Sequence, residues 1–180
     1  YLAWCQQYVA GTLDIRALHR ATVSPLAAFD LPTLAGWAKA FETEMAPYLP
    51  EAMRALVRGH QQAGHLCAIV TATTRFIAEP FGRLFGGVHV LATCSRVVDG
   101  RLDGGIDGEP CFGAHKLAHV TAWLAAQGQS LGAFERAWFY SDSASDLPLL
   151  DAVTDPVAVA PEARLRARAM ERGWRIVERS

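Results

Sequence analysis

The sequence predicts an α/β fold with a parallel sheet, because short apolar segments alternate with amphipathic segments from residue 51 onward. The apolar segments show no alternation of apolar and polar residues, which is typical of strands buried on both faces. In the other segments apolar residues recur at helical spacing. Residues 1–49 differ, since they show helical patterns and no convincing strand. We therefore expect two parts, a helical domain at 1–49 and an α/β domain at 50–180.

Helical patterns fill the first part, and prolines interrupt them. Apolar positions recur at helical spacing in Tyr1–Val9, Ile15–Val23 and Leu34–Met45. Pro47 and Pro50 are typical of a boundary and close this part. Tyr1 is not an initiator methionine, no signal-peptide pattern follows it, and the first residues resemble the middle of a helix. We therefore expect further residues before Tyr1 in the full-length protein.

The second part alternates between the two kinds of element. Helices are expected over Glu51–Gln62, Thr73–Leu84, Phe112–Gln127 and Pro161–Gly173. Strands are expected over Leu66–Val70, Val88–Ala92, Trp138–Tyr140 and Val157–Val159. In addition, Cys94–Val98 and Arg101–Leu102 flank the dipeptide Asp99–Gly100, which favours a two-residue hairpin turn. Right-handed helical crossovers between parallel strands are the usual result of such alternation.

Composition narrows the range of functions. The chain has 180 residues, of which 51% are hydrophobic, enough for one domain with a small insertion. A net charge of −1 gives no reason to expect a nucleic-acid or membrane-surface partner. No apolar run approaches the roughly 20 residues that span a bilayer. The four cysteines form no CxxC pair, which indicates reduced thiols in a cytoplasmic protein, and the oligomeric state stays undetermined.

Two acids follow the apolar segment Trp138–Tyr140 at once. Asp142 is expected at the carboxyl end of this strand, and Asp146 near the start of a helix whose first turn suits Pro148. Ligands of open α/β sheets bind at that edge, and Mg²⁺ prefers carboxylate oxygens. We therefore predict that Asp142 and Asp146 bind Mg²⁺. Capping of the helix by Ser and Asp explains this segment about equally well when it is taken alone.

Two further segments suit phosphate chemistry. Thr71 is expected at the end of a strand, where its hydroxyl and the N–H groups of Ala72 and Thr73 would form an anion site at a helix N-terminus. Lys116 is expected in the first turns of a helix and could neutralise a phosphate and a carboxylate. A hydroxyl, a lysine and metal-binding acids together suit phosphoryl transfer. A capping threonine and a solvated lysine are the ordinary interpretations of the same residues.

A zinc site is a competing interpretation of one segment. Cys111, His115 and His119 follow each other at four-residue spacing and could share a helix face. The sequence offers no second Cys/His cluster and no glutamate at a general-base position. The pattern therefore disfavours zinc.

The order of these motifs resembles the haloacid dehalogenase superfamily of phosphohydrolases, and most closely its phosphoserine-phosphatase-like branch. In that family an Asp-x-Asp-x-Thr loop and a helical cap precede a strand ending in Thr or Ser, a Lys at a helix start and a strand ending in Asp-x-x-x-Asp. Thr71 matches the second motif, Lys116 the third, and Asp142 with Asp146 the fourth. The stretches VTATTRF, DGRLDGGIDGEPCF and FYSDSASDLPLLDAVTDPVAVAP also resemble segments of bacterial members.

The resemblance implies a Rossmannoid core with residues 1–49 as an inserted cap. It implies Mg²⁺-dependent hydrolysis of a small-molecule phosphate monoester through an aspartyl-phosphate intermediate. Thr71 with Ala72 and Thr73 would bind phosphate, and Lys116 would neutralise charge. Asp142 would ligate Mg²⁺, and Asp146 would orient Lys116 or a water on the metal.

The chain departs from the family pattern in its first motif. No Asp-x-Asp-x-Thr loop occurs before the helical part, so the family's nucleophile and acid/base are absent, and we expect them before Tyr1. Ser145 stands where Asn is frequent, and His115 where Gly is common. A relative that binds a phosphorylated ligand without catalysis, and a phosphotransferase, are the two other functions that the sequence leaves open.

The helical part bears on the substrate. Its segment Gly11–Thr22 resembles the cap segment that carries a carboxylate-binding arginine in phosphoserine phosphatases. The position of that arginine falls on Thr22, and Arg20 lies two residues earlier. We therefore expect a phosphate ester other than phosphoserine, for example an amino alcohol ester similar to histidinol phosphate. Arg20 is the candidate substrate-binding residue, and a solvated arginine is the plainer interpretation.

Overall fold

A computed structural model describes residues 2–178, and the chain divides into two compact units, one up to Cys111 and one from Phe112 onward. The helices of the first unit are α1 Leu2–Ala10, α2 Ile15–Val23, α3 Leu31–Met45, α4 Glu51–Gln62 and α5 Arg75–Leu84. Its strands are β1 Ala68–Thr74, β2 His89–Thr93, β3 Ser95–Val98 and β4 Arg101–Ile106. The predicted division into a helical part, 1–49, and an α/β part, 50–180, stays a prediction.

The second unit alternates helix and strand. Its elements are α6 His115–Ala125, β5 Trp138–Ser141, α7 Leu147–Leu150, β6 Asp155–Val159, α8 Ala163–Arg172 and β7 Arg175–Val177. A short 3₁₀ turn, Ala144–Asp146, joins β5 to α7. Among residues 2–178, no helix is both long and apolar enough to cross a membrane.

Parallel pairing in both units confirms the predicted α/β class. In the first unit β1 lies parallel to β2, with Thr71 opposite Ala92. In the second unit β5, β6 and β7 lie side by side in that order, all parallel, with Ser141 opposite Ala158. Parallel neighbours need long crossovers, which the helices supply.

The predicted hairpin is also confirmed. Strands β3 and β4 pair antiparallel, with Val98 opposite Arg101. Asp99 has φ +49° and Gly100 has φ +74°. Positive φ at both central residues is what the favoured two-residue hairpin turn requires.

Several predicted boundaries were wrong by a few residues. The strand predicted over Leu66–Val70 runs from Ala68 to Thr74, so the following helix begins at Arg75 rather than Thr73. Three threonines in this stretch favour extended backbone because β-branched side chains fit a pleated surface. Strand β7, Arg175–Val177, was not predicted.

The helical stretch packs on the hairpin and on α5 within the first unit. Val23, Leu34 and Leu102 form one buried cluster, in which residues of α2 and α3 meet β4. Phe41 of α3 packs edge-on against Phe81 of α5, with ring centroids 5.7 Å apart. Burial of large apolar side chains contributes about 1.5–3 kcal/mol each, so these contacts fix the helices.

The core of the second unit supports the loop that follows β5. A buried cluster joins this loop and α7 to β6 and α8, and its members are Ala144, Leu150, Ala158, Leu165 and Ala169. Phe139, Leu147, Trp174 and Ile176 pack against it. Because Ala144 and Leu150 are anchored on both sides of Asp146, that carboxylate is held by packing as well as by its polar contacts.

Candidate active site

Strand β5 ends at Ser141, and Asp142 is the first residue beyond it. Its side chain is exposed, and among residues 2–178 no hydrogen bond or ion pair engages its carboxylate. Its backbone carbonyl accepts a hydrogen bond from the N–H of Glu162 at 2.9 Å. The backbone is therefore tied down while the carboxylate stays available to a ligand.

Lys116 and Asp146 form a buried ion pair. The Nζ atom lies 2.7 Å from Oδ1 and 2.8 Å from Oδ2 of the same carboxylate. Lys116 is only 7% exposed and Asp146 only 3% exposed, so the interpretation of Lys116 as a solvated lysine is wrong. A buried charge is tolerated when it is paired and hydrogen-bonded, and this pair meets that condition.

Serine side chains complete the surroundings of Asp146. The hydroxyl of Ser141 donates to Oδ2 of Asp146 at 2.7 Å. It also accepts the backbone N–H of Ser143 at 3.1 Å. Ser145 donates to Oδ1 of Asp146 at a longer 3.4 Å. Both carboxylate oxygens of Asp146 are thus already engaged within the protein.

Glu162 forms two hydrogen bonds with the backbone of the loop that follows β5. It lies just before α8, and its Oε1 accepts the backbone N–H of Ala144 at 2.9 Å. Together with its own N–H bond to Asp142, this contact clamps both ends of the segment 142–144. Neither Glu162 nor Ser141 was predicted as a site residue from the sequence. An acid three residues beyond the strand Val157–Val159 was the available signal for Glu162, because parallel strands end at one edge of a sheet.

Thr71 lies in the first unit, whereas Lys116, Asp142 and Asp146 lie in the second. Its Oγ1 accepts the N–H of Thr73 at 3.1 Å. The pairing of β1 with β2 shifts between Thr71 and Thr74, so the intervening Ala72 and Thr73 form an irregularity in the strand. The prediction that their N–H groups start a helix was therefore wrong. They belong to a bulged strand end, a feature that is frequent beside active sites.

The residues predicted to recognise substrate lie on α2. Arg20 is exposed in the last turn of this helix. The Thr22 hydroxyl donates to backbone carbonyls of its own helix, those of Leu18 at 3.1 Å and His19 at 2.9 Å. Arg20 is thus placed on the surface of the first unit, and its role stays a prediction.

The grouping of possible metal ligands bears on the zinc interpretation. Within residues 2–178, no three or more His, Cys, Asp and Glu side chains are grouped so that they could hold a metal ion. The competing Cys111–His115–His119 pattern therefore has no support, and the Cys111 thiol lies 3.5 Å from the carbonyl of Leu91. Mg²⁺ is commonly bound by one or two carboxylates, with water and substrate phosphate as the other ligands. The open carboxylate of Asp142 fits that pattern.

Sequence comparisons find similarity to hydrolases and phosphatases. A family model for haloacid dehalogenase-like hydrolases matches residues 3–151. A histidinol-phosphatase of Neisseria meningitidis is 36% identical over 174 residues, covering 96% of this chain and 78% of the relative. The phosphoserine phosphatase SerB1 of Mycobacterium tuberculosis is 35% identical over 136 residues, covering 76% of this chain. The chain spans only 43% of the length of that second relative.

Solved structures support the same fold. A protein of unknown function from Bordetella pertussis has a TM-score of 0.89 and 40% identity, covering 97% of this chain and 79% of its own. A phosphoserine phosphatase, solved as an analogue of its phospho-aspartyl intermediate, has a TM-score of 0.66 at 18% identity. It covers 99% of this chain and 78% of its own. The likeness confirms the predicted Rossmannoid fold class.

Proposed function

The chain belongs to the haloacid dehalogenase-like hydrolase family, and we propose that the full-length protein hydrolyses a small-molecule phosphate monoester with Mg²⁺. The observation that supports this most directly is the buried pair of Lys116 and Asp146 next to the open carboxylate of Asp142. Burying a charge is costly, and a buried ion pair close to the carboxyl end of a parallel strand is a candidate functional site.

The second unit would supply a preorganised set of charges. Asp146, with both oxygens engaged, holds the ammonium of Lys116, which would face the phosphoryl charge. Asp142 would hold Mg²⁺, with Asp146 acting through Lys116 or through a water beside the metal. When bound, the metal ion supplies positive charge for the phosphoryl oxygens.

The covalent step would use a carboxylate that is not among these 180 residues. In the proposed reaction this aspartate attacks phosphorus, the bond to the leaving alcohol breaks, and water then cleaves the aspartyl-phosphate to release phosphate. The alcohol leaves with a proton from a second aspartate of the same family loop. Thr71, with the neighbouring strand end, would hold the phosphate oxygens that do not react.

The substrate would be an amino alcohol phosphate rather than phosphoserine. A relative whose match covers 96% of this chain is named a histidinol-phosphatase, which supports such a leaving group. A second relative, named a phosphoserine phosphatase, matches a shorter part of this chain. Thr22 stands where phosphoserine phosphatases carry a carboxylate-binding arginine. Its hydroxyl is bonded to its own helix and offers no positive charge to a carboxylate.

Phosphate release from a panel of esters tests this proposal. Full-length protein is assayed with histidinol phosphate, phosphoserine and p-nitrophenyl phosphate, in Mg²⁺ and again after metal removal by EDTA. We expect histidinol phosphate to be hydrolysed fastest and EDTA to abolish release. No hydrolysis of any ester would favour a ligand-binding relative. Consumption of the ester only in the presence of an added alcohol acceptor, with the phosphoryl group recovered on that acceptor and no inorganic phosphate released, would favour a phosphotransferase.

A further inference from the structure

Ser141 is the last residue of β5 and contacts the ion pair without belonging to it. It is 8% exposed, and its hydroxyl lies 2.7 Å from Oδ2 of Asp146. The same hydroxyl accepts the N–H of Ser143 at 3.1 Å. A serine hydroxyl has one proton to donate, and here Asp146 receives it.

The position of the Lys116 ammonium depends on the plane of the carboxylate that holds it. Nζ lies within 2.8 Å of both oxygens of Asp146, so it sits between them. A lysine has a flexible four-carbon stem and a compact charge, so its acceptor decides where the charge rests. A carboxylate can rotate about its last bond unless another group holds one oxygen. Ser141 is such a group, and the strand that carries it is paired with β6.

We propose that Ser141 is a positioning residue, which fixes the carboxylate plane of Asp146 and through it the place of the Lys116 ammonium. Its consequence for catalysis rests on the proposed function, whereas its consequence for Lys116 does not. The simpler role is a purely structural one, in which Ser141 only caps the N–H of Ser143. The two roles differ in what happens at Lys116 when the hydroxyl is removed and the fold remains.

The reactivity of Lys116 can be measured directly because the chain contains few lysines. These 180 residues contain two lysines, the buried Lys116 and the exposed Lys39 of α3. Reductive methylation with formaldehyde and a borane reagent at one fixed pH, followed by peptide mass spectrometry, gives a rate for each lysine of the full-length protein. Lys39 serves as the internal standard.

Ser141→Ala is expected to raise the methylation rate of Lys116 on the order of 10-fold relative to Lys39, because a hydrogen bond to a charged group is lost. Ser141→Thr keeps the hydroxyl and is expected to stay within about twofold of wild type by the same reasoning. Thr121→Ala removes an exposed hydroxyl of α6 that bonds only its own helix at Leu117, and serves as the matched control. An unchanged Lys116 rate in folded Ser141→Ala would overturn the inference.

A cysteine variant covers the case in which Ser141→Ala does not fold. Ser141→Cys has a similar volume and a weak donor, so it is expected to lie between Ala and Thr. A Lys116 rate in Ser141→Cys equal to wild type would also overturn the inference.

The activity measurement separates this inference from the proposed function. In Ser141→Ala, kcat for a phosphate ester is expected to fall on the order of 10-fold with KM nearly unchanged, and Ser141→Thr is expected to restore it. If wild type releases no phosphate, the proposed function fails and the methylation rates still decide the role of Ser141. If wild type is active and Ser141→Ala keeps its kcat, the inference fails and the proposed function stands.

Discussion

At the scale of single residues, Lys116 and Asp146 form a buried ion pair in the second unit, and burying two charges carries a desolvation penalty. Both side chains are nearly inaccessible to solvent, and each neutralises the other. A residue of this kind contributes to stability chiefly because its partner would otherwise be left as a bare buried charge.

Removing one partner should therefore cost more than removing both. Asp146→Asn and Lys116→Met are each expected to lower the free energy of unfolding by about 3–5 kcal/mol, because each leaves an uncompensated buried group. The double variant is expected to recover a large part of that loss. Urea denaturation of wild type, both single variants and the double variant measures the coupling. Strictly additive losses would contradict the account of the pair.

Sequence patterns could single out some residues of the candidate site but not the contacts of others. Lys116, Asp142 and Asp146 could be singled out from their places beside apolar segments and from their spacing. Ser141 and Glu162 could not be assigned their contacts, since Ser141 meets Asp146 only through the turn at 144–146 and Glu162 meets Ala144 across the sheet edge. Such contacts depend on tertiary packing that a one-dimensional pattern does not contain.

At the scale of elements, α2 is held against the hairpin by a buried histidine. The Nε2 atom of His19 lies 3.2 Å from Oγ of Ser95, which in turn lies 3.0 Å from Oγ1 of Thr74. Burial lowers the pKa of His19, and a hydrogen bond to the backbone of Gly105 partly opposes that effect. The pKa in the folded state is therefore below that of the unfolded chain.

Acid should loosen this attachment of α2. Because the unfolded chain binds a proton more readily at His19, the contribution of this residue is present above about pH 6.5 and is lost as the pH falls. His19→Gln cannot be protonated, so its free energy of unfolding is expected to fall less than that of wild type between pH 7.5 and 5.5. Urea denaturation at the two pH values, with His89→Gln as an exposed control, measures the difference. Equal losses in wild type and His19→Gln would show that His19 is not the acid-sensitive group.

Element boundaries were predictable where capping or turn chemistry marks them. Helix α2 begins directly after Asp14, whose side chain accepts the N–H groups of Arg16 and Ala17, and its predicted bounds are confirmed. Strand β1 lacks such a marker at its end. Its threonines fit a strand and a helix cap equally well, so pairing with β2 decides the outcome.

At the scale of the whole molecule, we expect substrate preference and the rate of phosphate-ester hydrolysis to depend on different parts of the chain. If residues 1–49 choose the leaving group, changes on α2 should alter the ranking of substrates and leave turnover of a generic ester intact. Thr22→Arg is expected to raise kcat/KM for phosphoserine relative to histidinol phosphate by on the order of 10-fold, as expected for one added charged hydrogen bond. Arg20→Ala is expected to leave p-nitrophenyl phosphate hydrolysis within about twofold by the same reasoning.

Steady-state kinetics of full-length wild type and both variants measure these ratios. A wild-type preference for phosphoserine that disappears in Arg20→Ala would contradict the proposed substrate. In that case Arg20 would take the carboxylate-binding role.

In the proposed function, the open carboxylate of Asp142 serves Mg²⁺-dependent phosphate release. The most direct measurement is the rate of inorganic phosphate release by full-length wild type and Asp142→Asn over a range of Mg²⁺ concentrations. Asp151→Asn, another exposed acid of the second unit, is the control. We expect Asp142→Asn to lose at least about 10²-fold in turnover, as when one preorganised charge-stabilising group is removed, with an unchanged unfolding midpoint. Near-normal release by Asp142→Asn at saturating Mg²⁺ would contradict the account.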